Sequence, residues 1–201
     1  MGMPAVHRRW TAAQVRDLID ESRPWPRYEL IDGELIVTPA PGWNHQVVVT
    51  ELIVLLSDFA NREALGIVLA SPADLQLRTG TITQPDVFVV PVGGAEQAGA
   101  KPQWSDIRRL SLAVEIISPS SIRIDRVVKR EYYLSVGVPD YLVVDIDHRT
   151  IEHWTPGSAA PLVLRSELVW HPAGAAQPLV VALPEFFDRI GAQMRLIGLN
   201  P

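Results

Sequence analysis

Three side chains carry most of the chemistry legible in this chain. Asp86 stands in "TQPDVFVV", Glu115 in "LAVEIISPSS" and Lys129 in "DRVVKREYY". The two carboxylates lie where buried strands are expected to end, and the lysine near the first turn of a helix just downstream. Carboxylates converging at strand ends can hold a divalent cation. An ammonium beside them can stabilise charge that develops on a phosphate. Together they suggest metal-dependent hydrolysis of a phosphodiester.

Each residue also has a plainer reading. Asp86 follows Pro85, which suits a strand start because it lacks an N–H. An aspartate there can simply bond to local backbone. Glu115 interrupts "LAVEIIS" between Val114 and Ile116. A carboxylate in so apolar a run is costly unless it is paired, protonated or metal-bound. The plain alternative is an ion pair with an arginine. Lys129 follows Asp125 by four residues. Asp125 reads as the helix N-cap, and a cation so early in a helix opposes the macrodipole. Lys129 therefore needs an acidic partner, unless it joins Arg126 and Arg130 on a solvated face. Ser118 and Ser120 read as turn residues. His45 opens a helix and gains interest only if that helix start faces the carboxylates, since imidazole with two carboxylates suits manganese. Glu34, leaving a hairpin turn, reads most simply as an exposed charge. His7, His148, His153 and His171 receive no role. The sequence contains no phosphate-binding loop, dinucleotide fingerprint or nucleophile elbow.

The elements that must position these groups follow from periodicity. Residues 11–22 predict an amphipathic helix, with Val15, Leu18 and Ile19 on one side. "YELIDGELIVTP" predicts a hairpin about Asp32-Gly33. Residues 45–60 predict a second helix. Strands are expected near 66–70, 74–79, 85–91 and 111–117, the last two apolar enough to be buried on both faces. A third helix is expected over 125–136. "YLVVDIDHRTIEHW" predicts two strands about a polar turn. Strands near 161–165 and 178–182 and a short helix over 184–190 complete the order. Helices do not separate the strands at regular intervals, so the expectation is an α/β fold of α+β character. Its mixed, bent sheet would be flanked by helices. The organisation expected is one domain over 1–201: an N-terminal helical extension over 1–24, a core over 25–154 and C-terminal strands with a short helix over 155–201.

Composition narrows the chemistry. The 201 residues contain no cysteine, so a metal must be held by carboxylate, imidazole or backbone oxygen, which favours Mg²⁺ or Mn²⁺. The formal net charge of -5 is not that of a protein that coats nucleic acid. No apolar run is long enough to span a bilayer, and the N-terminal segment does not read as a signal peptide. A cytoplasmic location without a membrane partner is the default expectation.

Four stretches together resemble a known family: "YELIDGELIVTPAPGWNHQ", "QPDVFVV", "VEIISPSS" and "DRVVKREYYLSVGVPDYLVVD". They are similar to the Uma-two family of bacterial restriction endonucleases, within the PD-(D/E)XK nuclease-like superfamily. The resemblance runs over about residues 25–154. It implies a restriction-endonuclease-like fold and a metal-dependent nuclease site. In that pattern Asp86 is the aspartate of the Pro-Asp element and Glu115 the acidic residue of the next strand. The superfamily's lysine two residues later is replaced here by Ile117. The family pattern moves the lysine to the following helix, at Lys129. Glu34 and His45 match additional polar positions.

The resulting expectation is an endonuclease acting on nucleic acid, with DNA as substrate. Asp86, Glu115, Lys129 and Glu34 would be catalytic. Asp86, Glu115 and His45 would hold Mg²⁺ or Mn²⁺, with the Ile117 carbonyl as a further oxygen. Arg126, Arg130 and Trp43 would contact substrate. If the arginines, including Arg108, Arg109 and Arg123, face the cleft, cleavage should weaken steeply with salt. A homodimer would supply the two sites that double-strand cleavage needs. Two other readings stay open: a catalytically silent nucleic-acid-binding or interaction module on the same fold, and a hydrolase of another phosphate ester.

Overall fold

The computed structural model describes residues 9–21, 25–97 and 99–198. His7 and parts of the expected N-terminal extension lie outside them. Helix α1 (Ala12–Glu21) precedes a hairpin of β1 (Arg27–Ile31) and β2 (Glu34–Thr38). The hairpin turn is the expected one. Asp32 and Gly33 have φ of 50° and 82°, the left-handed pair that a two-residue turn of this type needs and that Asp-Gly supplies at least cost. Helix α2 (Trp43–Arg62) follows, then β3 (Gly66–Ala70), β4 (Val87–Pro91), β5 (Leu112–Ile116), β6 (Tyr141–Asp145), β7 (Thr150–Trp154) and β8 (Leu162–Leu164).

These last six strands form one sheet in the order β3-β4-β5-β6-β7-β8. Only β5 and β6 run parallel, so the sheet is mixed, as the spacing of elements predicts. A separate two-stranded ladder joins β9 (Glu167–Trp170) to β10 (Leu179–Ala182). Helix α4 (Leu183–Leu196) extends well beyond the short helix expected there. Strand β9 is absent from the sequence reading, and the strand expected over 74–79 is reduced to an isolated bridge, Leu75 to Thr83. The helix expected over 125–136 forms as a π-helical segment, Ile124–Lys129, running into α3 (Arg130–Ser135).

Alternation along the central strands divides the core. Val87 and Val89, Leu112, Val114 and Ile116 pack with Leu52, Leu56 and Phe59 of α2 and Phe186 of α4. Phe88 and Val90, Ala113, Val143 and Tyr141 face the other way, onto Tyr132 and Tyr133 of α3. On β5 this parity turns Glu115 toward the α3 side. A third cluster, Val15 with Leu30 and Ile82, fastens α1 to the hairpin. Among the described residues no helix is long and apolar enough to cross a membrane.

Candidate active site

Strand register brings the first two carboxylates together. Val87 of β4 pairs with Val114 of antiparallel β5, so one further step sets Asp86 opposite Glu115. Like charges directly opposite each other repel, and both are largely buried: Asp86 is 8% exposed and Glu115 2%. Such a pair persists only if other groups hold it.

Asp86 is held from three directions. Its Oδ2 accepts the Ile116 backbone N–H at 2.9 Å and lies 2.9 Å from His45 Nε2. Its Oδ1 is 3.4 Å from Arg27 Nη1. His45 reaches it from the first turn of α2. Burial raises the Asp86 carboxyl, but the hydrogen bond and charge of His45, with Lys129 and the Ile116 N–H, outweigh burial and hold it below its usual 3.8.

Glu115 is held by Lys129, whose Nζ lies 3.1 Å from Glu115 Oε1. The same ammonium is 2.9 Å from Glu29 Oε2 and 3.8 Å from Asp125 Oδ1. Tyr133 Oη stands 3.5 Å from Glu115 Oε1. Burial pushes the Glu115 carboxyl well above its ordinary 4.5; Lys129 pulls it back, and Asp86, Asp125 and Glu29 drive it up again. Burial alone would lower the Lys129 ammonium. Glu115, Glu29, Asp125 and Asp86 together hold it well above its ordinary value, so the lysine stays protonated. Asp125 is raised by burial to about 6 despite Lys129.

Lys129 owes its place to the helix it ends. Asp125 is not the N-cap expected of it: it sits buried inside the π-helical segment, and its N–H donates to the Ser121 carbonyl. Ser121 Oγ in turn accepts the Ser118 N–H, so "SPSS" serves the turn, as read. Asp125 and Lys129, four residues apart, lie on one buried side of this segment, and π-helical segments often mark functional positions.

Glu29 is the member that the sequence reading missed. It lies in β1, 1% exposed, and its Oε1 accepts the Gln84 N–H at 2.7 Å. The signal was present. Glu29 stands in "RYELI" as Glu115 stands in "LAVEI", a carboxylate inside an apolar strand. The reading that placed Glu34 in the site is corrected. Glu34 pairs with Ile31 beside the turn, is exposed, and lines a separate depression with Asp32 and Arg78. Glu34 shares a face of the hairpin with Glu29, but it stands at the turn end, beside Ile31 rather than opposite Glu29, and so faces that depression instead of Lys129.

The arginines expected at substrate are also elsewhere. Arg126 binds Glu152 at 2.7 Å and Asp145 at 3.0 Å. Arg130 binds Glu131 and stacks over Trp154. Arg108 and Arg109 line a different hollow, beyond the N-terminal end of β5. Arg123 is exposed between Ser121 and Ile124, which line the cavity. Trp43 is 71% exposed at the start of α2.

The carboxylates, His45, Arg27 and Lys129 border a cavity of about 260 Å³. Its floor is Arg27, Glu29, Asp86, Glu115, Asp125 and Lys129, one wall Thr38–Gly42 and the other Ser118, Ser120, Ser121 and Ile124. Four carboxylates thus face two permanent cations, Arg27 and Lys129. Among the described residues no group of three or more His, Asp or Glu side chains is gathered closely enough to hold an ion as placed. The donor set nonetheless fits a hard divalent cation. It offers two opposed carboxylates, an imidazole whose Nδ1 is buried without a hydrogen-bond partner among the described residues, and an excess of buried negative charge.

Comparison with known proteins agrees with this architecture. The fold matches a crystal structure described as that of "a putative nuclease belonging to DUF820 from Anabaena variabilis ATCC 29413", with a TM-score of 0.70 at 18% identity over 88% of this chain and 98% of that one. No curated protein matches the sequence. A family model described as "Uma2: Putative restriction endonuclease" matches residues 12–187. That span holds the hairpin, the opposed carboxylates and the lysine-bearing helix, and the chain belongs to the Uma2 family.

Proposed function

We propose that the protein is a metal-dependent endonuclease that hydrolyses phosphodiester bonds of nucleic acid, with DNA as substrate. The observation that carries this reading is the composition of the cavity floor. Opposed carboxylates from β4 and β5 stand beside a lysine fixed in its charged form, at the bottom of a solvent-open cleft. Family membership supports a nuclease, and an excess of buried carboxylate supports a cation.

Asp86 and Glu115 would hold Mg²⁺ or Mn²⁺, with His45, whose Nδ1 has no partner among the described residues, as a third donor. When bound, the ion supplies Lewis acidity, acidifying water and drawing charge from phosphate oxygen. The protein's own groups supply the rest. Lys129 carries three N–H donors. Two are directed at Glu29 and Glu115, and Asp125 at 3.8 Å is too distant for a hydrogen bond. The third is free to meet a non-bridging phosphate oxygen as its charge grows. Glu29, itself fixed by the Gln84 N–H, positions that ammonium. Glu34, Arg126 and Arg130 have no part in this proposal. Trp43 remains the proposed stacking residue, at the cleft end of α2.

Calorimetric titration of Mn²⁺ into wild type, Asp86→Ala and Glu115→Ala tests the reading without a choice of substrate. Binding in wild type that vanishes in both variants is expected. Cleavage assays on DNA, RNA and small phosphodiesters then test the chemistry. Absence of binding, repeated with DNA present, would sink the metal-dependent reading and favour the silent module. Turnover confined to phosphomonoesters would favour a different hydrolase.

A further inference from the structure

We infer that this site acts on single-stranded nucleic acid, or on an unpaired segment of a duplex, and not on an intact double helix. The inference rests on the nuclease reading above and names its substrate class.

The first argument is depth. Asp86, Glu115 and Lys129 are 8%, 2% and 5% exposed, at the bottom of a cavity of about 260 Å³. That is below the roughly 300–1,000 Å³ of ordinary small-molecule sites. It admits a phosphate and its sugar, but not a stretch of duplex. A duplex is stiff over a persistence length of about 150 base pairs and cannot lower one phosphate into such a hole. A single strand rotates about each backbone bond and can thread.

The second argument is the stiffness of the wall. One side is Thr38-Pro39-Ala40-Pro41-Gly42. Each proline ring fixes its own φ and holds the preceding residue, Thr38 or Ala40, extended. The segment is anchored at both ends, by β2 and by α2. Widening the cleft would require moving one of those elements.

The third argument is charge. Nucleases that grip a duplex neutralise many phosphates. Here the lining cations, Arg27 and Lys129, are already paired with Asp86, Glu29 and Glu115. Arg126 and Arg130 are committed to Asp145, Glu152 and Glu131. Near the rim Arg123 is exposed, while Thr38, Pro39, Ala40, Pro41, Gly42, Ser118 and Ser120 are uncharged. With one or two phosphates neutralised, raising salt from 50 to 200 mM should weaken single-strand binding only about three- to sevenfold, where a grip on six to ten phosphates of a duplex would lose about 10³–10⁵.

The experiment compares fluorescein-labelled single-stranded DNA, single-stranded RNA and the blunt DNA duplex of the same sequence. Binding is read by anisotropy in Ca²⁺, and cleavage in Mn²⁺ on the same strands and on a duplex with a long overhang. Single strands are expected to bind about tenfold or more tightly than duplex, with the shallow salt response above and cuts confined to the overhang. The two single strands decide between DNA and RNA. The double variant Pro39→Gly/Pro41→Gly should narrow the gap between single strand and duplex. Duplex bound or cut as readily as single strand, or a steep salt response, overturns the inference while leaving the nuclease reading intact. Single-strand preference in binding without any cleavage upholds the inference and counts against the nuclease. Binding of neither form overturns both.

Discussion

Replacing Lys129 by methionine keeps most of the side-chain volume and removes one buried charge, so its cost can be worked out. The ammonium is 2.9 Å from Glu29 and 3.1 Å from Glu115. Without it at least one carboxylate is stranded, and its cheapest escape is to take up a proton. For a glutamate that would otherwise be ionised with the ordinary pKa of 4.5, protonation at pH 7 costs about 3.4 kcal/mol, at 1.36 kcal/mol per pH unit; for Glu115, which burial already holds above 4.5, that figure is an upper bound. That lies within the ~3–5 kcal/mol typical of breaking a buried ion pair. At about 2–4 °C per kcal/mol for a chain of this size, Tm should fall by about 7–14 °C. The sign with pH is fixed as well. The stranded carboxylate has a folded pKa above its unfolded one, so stability is retained at low pH and lost as pH rises. The deficit should shrink by about 1.4 kcal/mol per unit on acidification and be nearly gone near pH 4.5. The assay is denaturation of both proteins in EDTA between pH 4.5 and 8. A deficit under about 1 kcal/mol at pH 7, or one that does not change with pH, would refute the placement of Lys129 among these carboxylates. The same variant should retain Mn²⁺ binding by calorimetry and lose turnover.

Glu29→Gln removes the second partner of that ammonium while keeping the shape. It should lower kcat with little change in KM, because the ammonium is then less well aimed; unchanged kcat would remove Glu29 as a positioning residue. Asp125, raised from 3.8 to about 6, stabilises the folded state below pH 3.8 relative to higher pH, and that stability is lost as pH rises through 6. In EDTA, Asp125→Asn should therefore gain about 2 kcal/mol on wild type between pH 4 and 7.5, measured by denaturant midpoints; a constant difference would show that Asp125 titrates normally. Trp43→Ala should weaken single-strand binding about fivefold or more, the lower end of base–aromatic stacking; equal anisotropy curves would free Trp43 of that role.

Much of the fold can be read from the chain because its signals are local. Asp32-Gly33 determines its hairpin turn through the conformations those two residues tolerate. The apolar runs of β4 and β5 mark strands buried on both faces. The misses occur where local preference is weak. Residues 74–79 alternate well enough for a strand but find only a bridge at Thr83. "ELVW" of β9 carries too short a pattern to stand apart from its loops. The π-helical segment, which decides where Lys129 points, differs from an α-helix by a shift in hydrogen-bond register that no residue type announces.

The site divides in the same way. Sequence alone marks Asp86, Glu115 and Lys129, because a carboxylate in an apolar run and a cation at a helix start each need a partner that is not nearby in the chain. It also limits any metal to oxygen and imidazole donors, since there is no cysteine. Only the tertiary structure supplies the partners. Strand register sets Asp86 opposite Glu115, β1 inserts Glu29 where Glu34 was expected, and α2 delivers His45 to Asp86. It also turns Arg126 and Arg130 away from the cleft. The chain thus determines which groups are costly to bury, whereas which opposite charge relieves each of them depends on distances of a few ångströms between segments far apart in sequence, and those are fixed only when the sheet, hairpin and helices pack.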